Sequence, residues 1–114
     1  MENKFLKLSN KYKTPLYVYD GNKIIDQYTS FVKSFNVKKL KLHFAAKALT
    51  NISILRLIKE LGGGLDCVST EEIELGLKAG FNPKDIIFTP NGICFDEYKK
   101  AIKIGTKITI DNLS

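Results

Sequence analysis

The chain has 114 residues, 44% of them hydrophobic and 26% charged, with a formal net charge of +6. That is enough material for one globular domain and too little for two. No apolar run reaches the ~20 residues of a membrane-spanning helix, and the N-terminus has neither the apolar core nor the cleavage site of a signal peptide. The expected location is the cytoplasm, with Cys67 and Cys94 as reduced thiols. The eighteen basic residues are scattered, with small clusters at Lys38, Lys39 and Lys41 and at Lys99, Lys100 and Lys103. Without an arginine-rich stretch or interleaved aromatics they read as solvated faces, which argues against nucleic acid as a partner.

In chain order, Leu16-Tyr17-Val18-Tyr19 is a short β-prone run closed by the turn pair Asp20-Gly21. Ile24, Ile25, Tyr28, Phe31, Val32 and Phe35 then recur at helical spacing. Leu40 to Ala46 reads as a strand and Ile52 to Leu61 as a helix stopped by Gly62-Gly63-Gly64. Leu65 to Val68 is a second strand. Ser69-Thr70-Glu71-Glu72 has the form of a capping box, opening a helix that ends at Gly80 before Asn82-Pro83. Ile86 to Phe88 is a third strand, Asp96 to Ile104 a helix, and Lys107 to Asp111 a fourth strand. The strand centres recur about every 22 residues, a plausible βα step in a parallel sheet. Four such units make either a small doubly wound sheet or the first half of an eightfold barrel. The chain stops after a strand, which favours an N-terminal piece of a longer polypeptide.

Ligands of parallel α/β folds gather at the C-terminal ends of strands. Alternation puts Lys41, His43, Ala45 and Lys47 on one face and Leu40, Leu42, Phe44 and Ala46 on the helix-facing side. Lys47 thus ends an apolar strand and should be partly desolvated. A lone cation there is costly unless it works as a neutral amine on a carbonyl, of which the aldehyde of pyridoxal phosphate is the commonest partner. His43, deeper, reads as a packed, hydrogen-bonded interior histidine. On the second strand Asp66 and Val68 share the inner face; Asp66 either pairs with Lys47 or is simply a turn residue. Cys67 faces the helices as core, and Ser69 and Glu72 are helix caps. Asn91 lies in the turn Thr89-Pro90-Asn91-Gly92, and Thr109 and Asp111 should face the mouth. The three glycines run from helix to strand, the reverse of a phosphate-cradling loop.

The segments Thr14 to Asp20, His43-Phe44-Ala45-Ala46-Lys47-Ala48, Gly64 to Glu72, Gly80-Phe81-Asn82-Pro83, Ile86 to Thr89 and Ile110-Asp111-Asn112 together resemble, in order, the fold-type III (alanine-racemase-like) pyridoxal phosphate enzymes of the decarboxylase branch. The resemblance implies an α/β fold: a pyridoxal phosphate-binding TIM barrel whose first four βα units are residues 37–114. Residues 1–36 would precede it, their initial strand joining a C-terminal β domain. It implies a Schiff base between Lys47 and pyridoxal phosphate, Asp66 near the cofactor, and a homodimer acting on a small amino acid. The implied reaction is decarboxylation of meso-2,6-diaminopimelate to L-lysine, with ornithine, arginine or carboxynorspermidine as alternative substrates. The racemase signature is missing at Leu49 to Ile52. The other candidate is a non-catalytic pyridoxal phosphate-binding barrel that buffers the cofactor, against which the Leu16 to Tyr19 run counts. Phosphate-binding and substrate-specificity residues would lie beyond Ser114, so that the chain alone should be inactive.

Overall fold

A computed structural model of the chain describes residues 2–111. Helices α1 (Glu2–Tyr12) and α2 (Gly21–Lys33) come first. There follow β1 (His43–Ala45), α3 (Ile52–Glu60), β2 (Gly64–Cys67), α4 (Thr70–Ala79), β3 (Ile86–Phe88), α5 (Phe95–Ile104) and β4 (Lys107–Ile108).

Local chemistry explains most of the boundaries. Asp20 caps α2 by accepting from the N–H groups of Asn22 and Lys23, and Asn51 caps α3 by accepting from those of Ser53 and Ile54. At α4, Ser69 Oγ accepts from Glu72 N at 3.2 Å, while Glu72 Oε2 reaches back to Val68 N at 2.8 Å. The reciprocal cap expected from Ser-x-x-Glu is therefore present, closed one residue earlier than the Ser69 amide. Gly80 ends α4 at φ 97° and Gly62 follows α3 at φ 83°, where a side chain would strain the backbone.

The strands form one sheet in the order β1-β2-β3-β4, every neighbour parallel. The register pairs Ala45 with Asp66, Asp66 with Ile87, and Ile87 with Lys107. Leu65, Cys67, Ile86 and Phe88 are fully buried on one side, against Leu55 and Ile58 of α3, Ile73 and Ala79 of α4, and Ala101 of α5. Each such large side chain contributes about 2 kcal/mol by leaving water. On the other side Ala45, Asp66 and Ile87 are only half-buried and Lys107 is exposed. Sequential order with the helix-packed core on one side is the layout of a barrel segment; a doubly wound sheet would reverse strand order at a switch point.

Three expectations are modified and one helix is new; the fourth strand, expected over Lys107 to Asp111, spans only Lys107–Ile108. Leu16 to Tyr19 runs extended but pairs with no strand among the described residues, and Tyr17 is 87% exposed. A β-prone run becomes a strand only when an edge is offered to it. The first barrel strand is His43–Ala45 rather than Leu40 to Ala46, because its partner β2 begins only at Gly64, whose N–H bonds to Leu42 O at 2.7 Å. Helix α1 had no counterpart in the sequence reading: Phe5 and Leu6 are more than half exposed, so no buried stripe announces it. Asn112, where the family resemblance ends, lies outside the described residues, as do Leu113 and Ser114.

Candidate functional site

Immediately after β1 the chain tightens into a single 3₁₀ turn, Ala46–Ala48, closed by Leu49 N bonding to Ala46 O at 3.1 Å. Ala46 is fully buried and anchors the turn in the core; Lys47, next to it, is exposed. Lys47 thus sits at the C-terminal end of β1 as expected, but on a turn and in contact with solvent rather than partly desolvated on the strand. It makes no ion pair among the described residues. The residue before the turn, Ala45, is the register partner of Asp66.

Asp66 is not a turn residue. It lies inside β2, half-buried, on the side away from the helices. Its Oδ1 accepts a 2.5 Å hydrogen bond from Thr89 Oγ1 at the end of β3, and Oδ2 has no hydrogen bond among the described residues. Cys67, one position on, points into the core; burial, with Glu72 and then Asp66 adding to it, pushes its thiol up to about 12. That is a structural cysteine, not a nucleophile. Cys94 is exposed ahead of α5.

His43 meets only part of its expected role: it is packed and bonded to the Lys41 backbone, but one ring nitrogen is left over. Its Nε2 is buried without a hydrogen-bond partner among the described residues. The ring covers Gly64, where any Cβ would collide with it. Burial, then the charges of Lys107 and Lys41, lower its pKa from the usual imidazole value, against a backbone hydrogen bond to Lys41 and the charge of Asp66. Thr109 extends the ladder, its N–H bonding to Phe88 O at 2.9 Å, and Thr109, Asp111 and Asn91 are exposed at the same end of the sheet. Sequence reasoning missed Thr89 as a partner of Asp66: alternation sets Thr89 on the face of Ile87, but only the register of the folded sheet sets Ile87 beside Asp66.

The donor set fits pyridoxal phosphate. A solvent-open primary amine follows a strand end, and a carboxylate on the neighbouring strand keeps one oxygen free for a cation. No group of three or more potential metal ligands occurs among the described residues, and none of their helices is long and apolar enough to cross a membrane.

Residues 21–114 match the family model described as pyridoxal-dependent decarboxylase, pyridoxal binding domain. The chain belongs to that family. The diaminopimelate decarboxylase of Methanothermobacter thermautotrophicus is 36% identical over 111 residues, covering 96% of this chain and 26% of that protein. That of Helicobacter pylori strain J99 is 41% identical over 98 residues, 86% of this chain and 24% of the relative. The crystal structure of diaminopimelate decarboxylase from Helicobacter pylori complexed with L-lysine superposes with a TM-score of 0.82 at 37% identity, covering 90% of this chain and 26% of that one. The chain therefore spans about a quarter of the length of these relatives, and its α/β architecture is that of the first half of the pyridoxal-binding barrel of these decarboxylases.

Proposed function

We propose that this chain forms the lysine-bearing half of the cofactor site in a pyridoxal phosphate-dependent decarboxylase that converts meso-2,6-diaminopimelate to L-lysine. The observation that carries the reading is Lys47 on the turn that ends β1, with Ala45 in register with the half-buried carboxylate of Asp66. Similarity to diaminopimelate decarboxylases, one of them complexed with L-lysine, supports the substrate. When bound, pyridoxal phosphate supplies the electron sink for the charge left as carbon dioxide departs.

The chain's own residues have three tasks. Lys47 Nζ would hold the aldehyde carbon of the cofactor until the substrate's amine displaces it, then deliver a proton to the substrate Cα. Asp66, through Oδ2, would face the cationic nitrogen beside Lys47 and favour its protonated form. The buried Ala46 fixes where the turn emerges, so that Nζ explores only the length of its own side chain. The same proposal places residues 1–36 ahead of the barrel, residues 37–114 in its first four βα units, and the working protein in the cytoplasm as a homodimer.

The test is reductive trapping. Borohydride treatment of the cofactor-loaded full-length protein should fix a pyridoxyl group on the peptide containing Lys47, and Lys47→Ala should lose both this adduct and carbon dioxide release from meso-diaminopimelate. An adduct on another lysine refutes the assignment. Trapping on Lys47 without carbon dioxide release from any diamino acid favours the cofactor-buffering alternative.

A further inference from the structure

Asp66 is held by a single side chain, that of Thr89 immediately after the neighbouring strand β3. The hydroxyl of Thr89 has one proton and two acceptors in range, Asp66 Oδ1 at 2.5 Å and Cys67 O at 3.5 Å. The short, charge-assisted contact takes it. Thr89 itself is pinned. Its N–H bonds to Cys67 O at 2.8 Å, and Thr109 N bonds to the preceding carbonyl, Phe88 O, at 2.9 Å. As a β-branched residue it has little freedom about χ1. A fixed donor on one oxygen restricts rotation of the carboxylate and determines where the other oxygen can be.

We infer that Thr89 is a positioning residue for the cofactor site: by donating to Asp66 Oδ1 it turns Oδ2 toward the space beside the Lys47 turn. This rests on the reading of Lys47 and Asp66 given above. Stability alone does not call for the pair. Both side chains are half-buried on the sheet surface away from the helix-packed core, where water can reach the carboxylate in place of a protein donor, and valine would fill the volume of Thr89 nearly as well.

The experiment uses the full-length protein loaded with pyridoxal phosphate and reads the pH midpoint of the bound cofactor's visible absorbance. A carboxylate facing the cofactor's cationic nitrogen raises that midpoint, so Asp66→Asn should lower it by about 1 unit or more. Thr89→Val should lower it by about half as much, because the carboxylate remains but is no longer aimed. Thr89→Ser should restore the wild-type midpoint, and Thr89→Val added to Asp66→Asn should shift it no further. A wild-type midpoint in Thr89→Val beside a lowered one in Asp66→Asn overturns the inference and leaves the site assignment standing. A wild-type midpoint in Asp66→Asn, with the cofactor still trapped on Lys47, overturns the role of Asp66 itself and the inference with it. Equal further lowering in the double variant shows that Thr89 acts independently of Asp66 and also overturns it.

Discussion

Replacing Gly64 with alanine tests the contact between the first two strands. An ideal Cβ at this position meets His43 Cδ2 and lies 2.5 Å from His43 Nε2 and 2.7 Å from the carbonyl oxygen of Asp85. The ring can turn about its hydrogen bond to the Lys41 backbone, since Nε2 has no partner to lose among the described residues. The carbonyl cannot move easily: it belongs to the 3₁₀ turn Pro83–Asp85 leading into β3, and the Asp85 side chain is tied to Lys41 by an ion pair. Three sub-contact approaches put Gly64→Ala at the upper end of overpacking costs, about 3 kcal/mol. By contrast, Gly62→Ala meets nothing within 4 Å and is penalised only for its φ of +83°, which costs about 1 kcal/mol.

The readout is amide exchange at Gly64, whose N–H bonds to Leu42 O at 2.7 Å. At 1.4 kcal/mol per factor of ten, Gly64→Ala should speed it about a hundredfold. His43→Ala in the same background removes two of the three contacts but leaves the carbonyl, so the double variant should fall short of additivity by about 1 kcal/mol. Exchange within threefold of wild type in Gly64→Ala, or strict additivity with His43→Ala, would refute this reading of the His43–Gly64 contact.

Two further outcomes follow from ionisation. His43 is the sole histidine, so its ring resonances report one site. They should titrate below the ordinary value of about 6.5, because burial and the charges of Lys107 and Lys41 disfavour the cation. With the folded value depressed, the unfolded chain binds the proton more readily. The stability from neutral His43 is present above the ordinary value and lost as pH falls through the folded one, and His43→Gln should flatten that part of the pH–stability curve. A midpoint at or above the ordinary value contradicts the assignment. For the thiols, alkylation at pH 8 should label the exposed Cys94 and spare Cys67, whose value near 12 leaves almost no thiolate; rapid labelling of both would show that β2 is not buried as described.

What the sequence made legible depended on whether one residue's neighbours in the chain were enough to decide it. Leu65 and Cys67 against Asp66 could be assigned to opposite faces because a strand with one apolar side alternates, and the burial follows that alternation. Ser69 and Glu72 could be read as caps because both partners lie within four residues. The hydrogen bond from Thr89 to Asp66 spans 23 residues, and the His43 ring lies over a glycine 21 positions on by the pairing of His43 with Gly64. Both depend on register, which alternation within one strand leaves open by any even number of residues. Alternation sets Lys47 at the C-terminal end of β1, but the strand stops two residues before it. Alternation could not report a 3₁₀ turn.

That turn alters the argument for a reactive lysine. A cation at the end of a buried strand would demand a chemical reason, because desolvation penalises it. An exposed lysine carries no such demand, so burial no longer argues for Lys47. What argues for it is the division of the sheet into two sides. Every fully buried side chain of β2 and β3 faces the helices. The ionisable groups His43, Asp66 and Lys107 share the opposite side, where the charges of Lys107 and Asp66 act on the His43 ring. A fold held together by one face can vary the other without losing its core, and the Lys47 turn opens at the strand end of that second face. Substitutions of Asp66 and Thr89 should therefore change the chemistry of the site and leave the packing of Leu65, Ile86 and Phe88 intact.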